Sequence, residues 1–343
     1  MKKLMAILLI VVMVFAMTAC NTNVQEAQAE NTNAEQNKAE QAEPVAEPSK
    51  EEWKPTQDIE CIVPFAPGGG SDLLTRKIIE YVDIGVNLVA VNIEGGAGLV
   101  GAEQAASEEA DGYTILAHNP MNLISQGLTG TSDVWQRLEP LAFVVDDWTV
   151  LYTSKDTGWT SMDDFVNYAK EHPTEVKWGF TSAPVTTADS YRIQAKLGVE
   201  CTMVPYDGGA EGNVALMGNH IQILMNTASD ASVYVDSGDY IPLAVLGTVR
   251  CPSLPDIPTL KELGIDVDTS APRAYFAPAG CSEEVIDYYD NLFKNLCENQ
   301  DFIDDCAAMG FTVSYTGAKE GKELMQSWYN ALLPVFQEYG LAG

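Results

Sequence analysis

Short apolar segments that run into glycine-rich loops, and then into apolar residues at helical spacing, recur along this chain. That recurrence restricts its fold more than any other feature. Ile59-Glu60-Cys61-Ile62-Val63 leads into Pro64-Phe65-Ala66-Pro67-Gly68-Gly69-Gly70-Ser71-Asp72, after which Leu73, Leu74, Ile78, Ile79 and Val82 follow at helical spacing. Val86 to Ile93 repeats the pattern, with Gly95-Gly96-Ala97-Gly98 and a helix starting near Val100. Tyr113 to Ala117 makes a third strand after a turn at Asp111-Gly112. Buried strands that alternate with helices imply a parallel sheet covered by helices, an α/β fold. The pattern restarts after Tyr152: a helix over 161–170 capped by Ser161, a strand over 176–180, a polar loop over 181–187 and a helix over 188–197. A strand then ends at Tyr206 before Asp207-Gly208-Gly209-Ala210, and strands follow over 221–225 and 242–246. Thr259-Leu260-Lys261-Glu262 is a capping box expected to open a short helix that stops at Gly264. Ser282 caps a helix whose Val285, Ile286, Tyr289, Leu292, Phe293 and Leu296 form one apolar, core-type stripe.

Two of the glycine loops sit between a strand end and a helix start. A helix N-terminus offers backbone N–H groups and the positive end of the helix dipole, and glycine lets a ligand come close to that backbone. Both loops are therefore candidate cradles for a carboxylate or phosphate, on the side of an open α/β sheet where ligands gather. Asp72 reads as the N-cap of the first helix and also as a group that could face the ligand. Arg76, one turn on, reads equally as a surface residue or as the group that orients Asp72. Gly96-Ala97-Gly98-Leu99-Val100-Gly101 matches GxGxxG, but a dinucleotide site also needs an acidic residue roughly 20 positions further on. Tyr113 to Pro120 holds no carboxylate, so nucleotide binding is set aside.

The chain opens with Met1-Lys2-Lys3 and an apolar run from Leu4 to Met17, shorter than the roughly 20 residues a membrane span needs. It reads as a signal-peptide core. Residues 21–55 are rich in Asn, Gln, Ala, Glu and Pro and read as a flexible tether. The 343 residues carry a net charge of −30. Five of the 19 basic and eight of the 49 acidic residues lie in the first 55, which leaves −27 for the rest. Acidity on this scale argues against nucleic acid and anionic lipid surfaces as partners. Apart from Cys20, the cysteines at 61, 201, 251, 281, 297 and 306 form no CxxC or regular framework and read as buried thiols. His118, His172 and His220 are far apart, with no HExxH, so no metal site is expected.

Met17-Thr18-Ala19-Cys20 resembles a bacterial lipobox, which implies cleavage and lipidation at Cys20 and attachment to the outer face of the cell membrane. The body resembles the TctC/Bug family, the extracytoplasmic solute receptors of tripartite tricarboxylate transporters. The first loop with Arg76 carries the resemblance. So do Asn92 through Gly101-Ala102-Glu103, Asp111-Gly112-Tyr113-Thr114, Val204-Pro205-Tyr206-Asp207-Gly208-Gly209, Leu254-Pro255-Asp256-Ile257-Pro258-Thr259 and Ala277-Pro278-Ala279-Gly280. The resemblance implies a type II periplasmic-binding-protein fold, in which two α/β lobes close on a ligand between them. Lobe 1 would span 56–153 plus 270–343, and lobe 2 154–269. It implies a ligand site of Phe65, Gly68, Gly69, Gly70, Ser71 and Asp72, with Gly96, Ala97, Gly98 and Asn119. Lobe 2 would add Thr181, Ser182, Thr186, Thr187, Asp189 and Tyr206, and Arg273 would enter the cleft from the return segment.

Three departures from the family pattern bear on the ligand. Asp189 stands where the family often has His, Asp207 replaces a frequent Lys, and Gly96-Ala97 inverts a common Ala-Gly. Acidic replacements at the cleft would repel a multiply charged anion. Arg273 would clamp a second carboxylate or pair with Asp189 or Asp207. The resulting expectation is a monomeric, cofactor-free binding protein for a small organic carboxylate: a di- or tricarboxylate, an aromatic acid or an amino acid. It would hand this ligand to transporter membrane subunits. Two alternatives are a ligand-sensing surface lipoprotein that feeds a signalling partner, and a secreted α/β hydrolase with Ser, His and carboxylate converging in the cleft.

Overall fold

The computed structural model describes residues 52–267, 269 and 271–343. The apolar run, Cys20 and the tether as far as Glu51 lie outside the described residues. Among the described residues no helix is long and apolar enough to cross a membrane.

The first three strands are β1 (Ile59–Val63), β2 (Leu88–Asn92) and β3 (Thr114–His118). Each is followed by a helix: α1 (Gly70–Tyr81), α2 (Leu99–Ser107) and α3 (Pro120–Leu128). β1 lies between β2 and β3 and runs parallel to both. Its buried apolar residues contact helices on both faces, as a central parallel strand requires. β4 (Leu138–Asp146) ends this stretch, and β5 (Thr149–Ser154) begins the next. The second group comprises α4 (Met162–Glu171), β6 (Lys177–Thr181), α5 (Pro184–Leu197), β7 (Thr202–Tyr206), α6 (Gly209–Met217), β8 (Ile223–Thr227), α7 (Ala228–Asp236) and β9 (Tyr240–Val245). The chain closes with β10 (Arg273–Pro278), α8 (Glu283–Cys297), α9 (Gln300–Ala308), β11 (Thr312–Gly317) and α10 (Ala318–Glu338).

Two sheets result, in the orders β11-β4-β10-β3-β1-β2 and β7-β6-β8-β5-β9. Each is mixed rather than wholly parallel: β10 runs antiparallel to β3 and β4, and β5 runs antiparallel to β8 and β9. Apolar clusters fill both faces of each sheet, so there are two α/β lobes. The chain passes between the sheets at Asp147-Trp148, earlier than the expected change after Thr153, because β5 pairs only within the second sheet. It returns at Arg273.

Local differences from the sequence reading have simple causes. Packing extends back past the expected start at Thr56, at least as far as Trp53. The indole packs against Tyr113, Tyr288 and Tyr289 at centroid distances of 5.6, 5.1 and 5.9 Å, and Pro55 is buried. Helix α5 starts at Pro184 inside the expected polar loop, because proline suits the first helical turn. The Thr259 capping box forms both of its hydrogen bonds. It closes a turn rather than a helix, since Gly264 reverses the chain at φ +81° within two residues of Glu262. The six described cysteines are unpaired thiols, five of them buried.

Candidate functional site

A cleft of about 900 Å³, counted out to its open mouth, lies where the two lobes face each other. Its walls come from the carboxyl ends of parallel strands in both sheets, with the loops and helix heads that follow them. From the first lobe come Pro64 to Ala66, Gly69 to Ser71, Glu94-Gly95 and Asn119 to Asn122 (except Pro120). From the second come Thr181, Val185-Thr186, Asp207 to Glu211, Met225 to Thr227 and Asp230. Thr149, Thr269, Ala271 and Arg273 line it at the two crossings between lobes.

Of the residues expected at the site, Phe65, Gly69, Gly70, Ser71, Asn119, Thr181, Thr186 and Arg273 line the cleft. Gly68, Asp72, Gly96, Ala97, Gly98, Ser182, Thr187, Asp189 and Tyr206 are not among its walls.

The first loop is held from behind. Asp72 Oδ2 accepts from the Gly68 N–H at 2.9 Å and from Arg76 Nε at 2.9 Å. Its Oδ1 accepts from Asn92 Nδ2 at 3.0 Å and pairs with Arg76 Nη2 at 2.9 Å. Burial by itself would raise the Asp72 pKa, but these hydrogen bonds outweigh it and hold the carboxyl below its ordinary range. Asp72 is therefore not the N-cap, a position taken by Gly69. It ties the loop to β2, and Arg76 orients it. The head of α6 repeats the device, with Glu211 Oε2 accepting from the Asp207 N–H at 3.2 Å.

The second loop turns away from the cleft. Gly95, Gly96, Ala97 and Gly98 all have positive φ, between 54° and 126°. A Cβ on Gly98 would stand 2.6 Å from His118 Nε2 and 3.0 Å from the Phe65 ring. Gly98 serves packing against β3 and Phe65, Gly96 lies beside Leu99, and only Glu94 and Gly95 reach the cleft. His118 is buried, with its pKa pushed down to about 4 by desolvation. A neutral imidazole has one N–H, and the shorter contact, Nδ1 to the Asn119 carbonyl at 3.0 Å, assigns it there.

Arg273 pairs with neither Asp189 nor Asp207. Its Nη2 donates to Asp147 Oδ2 at 2.8 Å, and Ser229 Oγ donates to the same oxygen at 2.6 Å. Arg273 and Asp147 lie at the two crossings between lobes, so the buried pair joins the crossing segments. Burial raises the Asp147 pKa, and the Arg273 charge offsets part of that rise. Asp189 is buried behind the wall, accepting from Arg192 Nη1 at 2.8 Å and from Thr269 Oγ1 at 2.5 Å. Tyr206 packs its ring against the second sheet.

Two buried donors in the cleft wall have no hydrogen-bond partner among the described residues: Ser71 Oγ and Arg273 Nε. Four carboxylates also line the cleft, those of Glu94, Asp207, Glu211 and Asp230. The sequence reading does not single out Asp230: its capping-box spacing, Thr227-Ala228-Ser229-Asp230, marks a helix start rather than a ligand site. None of the three histidines lines the cleft, so the Ser-His-carboxylate set of a hydrolase does not form there. Among the described residues no cluster of three or more His, Cys, Asp or Glu is placed to hold a metal ion.

Residues 81–341 match the model of the tripartite tricarboxylate transporter family receptor. The chain is similar to Protein BugT of Bordetella pertussis, with 27% identity over 279 residues that cover 78% of this chain and 85% of that protein. Its fold superimposes on the periplasmic binding protein BugD with a TM-score of 0.78 at 22% identity, covering 84% of this chain and 99% of that one. It superimposes on R. palustris Rpa4515 with adipate with a TM-score of 0.77 at 22% identity, again covering 84% and 99%.

Proposed function

The chain belongs to the tripartite tricarboxylate transporter receptor family, and from that membership we propose that it captures a small organic carboxylate between its lobes and delivers it to the membrane subunits of such a transporter. Family membership makes it an extracytoplasmic binding protein rather than an enzyme. The observation that carries the carboxylate reading is the pair of partnerless buried donors, Ser71 Oγ and Arg273 Nε, beside the head of α1 in the cleft between lobes. Unpaired buried donors are costly, and a carboxylate supplies several acceptor sites at once. Rpa4515 with adipate offers a carboxylate ligand in a relative of the same fold.

We propose further that Cys20 is lipidated and becomes the N-terminus when the signal peptide is cleaved, and that the segment following it tethers the body to the membrane as a monomeric receptor.

A thermal-shift screen with adipate, aromatic acids and amino acids tests the capture step. At least one should raise the melting temperature in a concentration-dependent way, as mass action requires. No rise with any of them would overturn the reading. Cys20→Ala should move the protein from the membrane fraction to the soluble one, and retention in the membrane would contradict the anchor.

A further inference from the structure

The head of α1 is already occupied by a carboxylate of the protein itself. Asp230, in the first turn of α7 in the second lobe, reaches across the cleft and accepts the Gly70 N–H at 2.6 Å through Oδ1. Thr227 Oγ1 donates to its Oδ2 at 3.0 Å. Glycine at 70 permits this approach, because a Cβ there would lie 2.4 Å from Ser229 Oγ. The same hypothetical Cβ would lie 3.4 Å from both Asp230 Oδ1 and Arg273 Nη2. The Asp230 carboxylate and the Arg273 guanidinium, whose Nη2 is held by Asp147, thus border the same corner of the cleft. Ser71, 4% exposed, and Arg273, 7% exposed, line this corner with Oγ and Nε unpartnered. They leave donors for one ligand carboxylate. Asp230 uses two of its roughly four lone-pair sites and retains acceptors for a cation. The other cleft acids, Glu94, Asp207 and Glu211, are exposed and act through a screened field. Asp230 is half-buried and acts at short range.

We propose that Asp230 is the specificity-determining residue of the cleft: it stands in for a second ligand carboxylate at the head of α1 and selects a zwitterionic amino acid over a dicarboxylate. The ligand brings its carboxylate to Ser71 and Arg273 and its ammonium group to Asp230. This inference rests on the reading of the cleft as a carboxylate site.

The test is calorimetry on the full chain in detergent with matched pairs: L-leucine against 4-methylpentanoate and L-glutamate against glutarate, extended to the remaining protein amino acids. The amino acid of the better-bound pair should bind at least tenfold more tightly than its deaminated skeleton. Asp230→Asn should shrink that preference at least fivefold and strengthen glutarate binding. If glutarate binds as tightly as the best amino acid, or if Asp230→Asn leaves the ratio unchanged, the specificity role falls while the carboxylate reading stands. If no carboxylate-bearing compound binds, both fall. Should Asp230→Asn fail to fold, the wild-type ratio and Asp230→Ser decide in the same way.

Discussion

Both glycine loops of the first lobe follow a parallel strand and open a helix, yet the structure puts them to opposite uses. Gly69, Gly70 and Ser71 of the first line the cleft, with Asp72, Arg76 and Asn92 bracing the loop from behind. Gly98 of the second is pressed against His118 and Phe65, Gly96 lies beside Leu99, and only Glu94 and Gly95 face the cleft. Glycine between a strand and a helix has two distinct physical causes. It permits close approach across open space, as at Gly70, or close approach within the packed interior, as at Gly98.

The sharpest way to break this contrast is a pair of alanine substitutions. Gly98→Ala forces a side chain into the left-handed region at φ +92° and into the His118 ring, which should cost about 3 kcal/mol of stability in chemical denaturation. Gly70→Ala meets Ser229 Oγ of the opposite lobe. The lobes can part to relieve that contact, so stability should fall by less than about 1 kcal/mol. Affinity for the best ligand of the screen should fall about tenfold. Equal effects on stability would erase the distinction between the two loops.

The second loop also makes His118 a pH-dependent element. Its folded pKa of about 4 lies below the ordinary 6.5, so the folded protein keeps it neutral while the unfolded chain takes up a proton. The stability tied to neutral His118 is present above pH 6.5 and is lost as pH falls to 4, by up to about 3 kcal/mol. Denaturation of the wild type across that window should show a steeper loss than denaturation of His118→Gln. Parallel curves would contradict the burial argument. The smallest effect concerns the brace of the first loop. Asp72→Asn removes the charge that pairs with Arg76 and should cost about 1 kcal/mol. Ligand affinity should change less than threefold, because Asp72 is not part of the cleft wall. A larger effect on affinity than on stability would return Asp72 to the ligand.

Much of the fold was legible because it is written in short-range periodicity. β1, β3, β6 and β7 lie within two residues of their expected bounds. Ser161 and Ser282 cap their helices through the Asp164 and Val285 N–H groups. The antiparallel strands were less legible. The sequence reading assigns no strand to the region of β4 and β5, and their pairing places Leu138–Asp146 in one sheet and Thr149–Ser154 in the other. The site was legible where a loop motif carries it, at Phe65 and at Gly69 to Ser71. Asp189 and Tyr206 looked equally suitable, but the helix and strand that bear them turn both side chains inward. The local signal at Asp230, a capping-box spacing from Thr227, marks only a helix start, and an Asp in the first turn of a helix is commonplace.

The amino-acid sequence alone determined the α/β class, the strand–loop–helix units around the glycine loops and the family, because each depends on residue types a few positions apart. It also set the acidity of the body, which is a property of composition. Tertiary structure decided which glycine loop opens onto the cleft, that Arg273 is claimed by Asp147, and that Asp230 stands 160 positions from the Gly70 N–H it accepts. Those contacts join residues from different strands and different lobes, and their energies depend on distance in space, which no local pattern encodes.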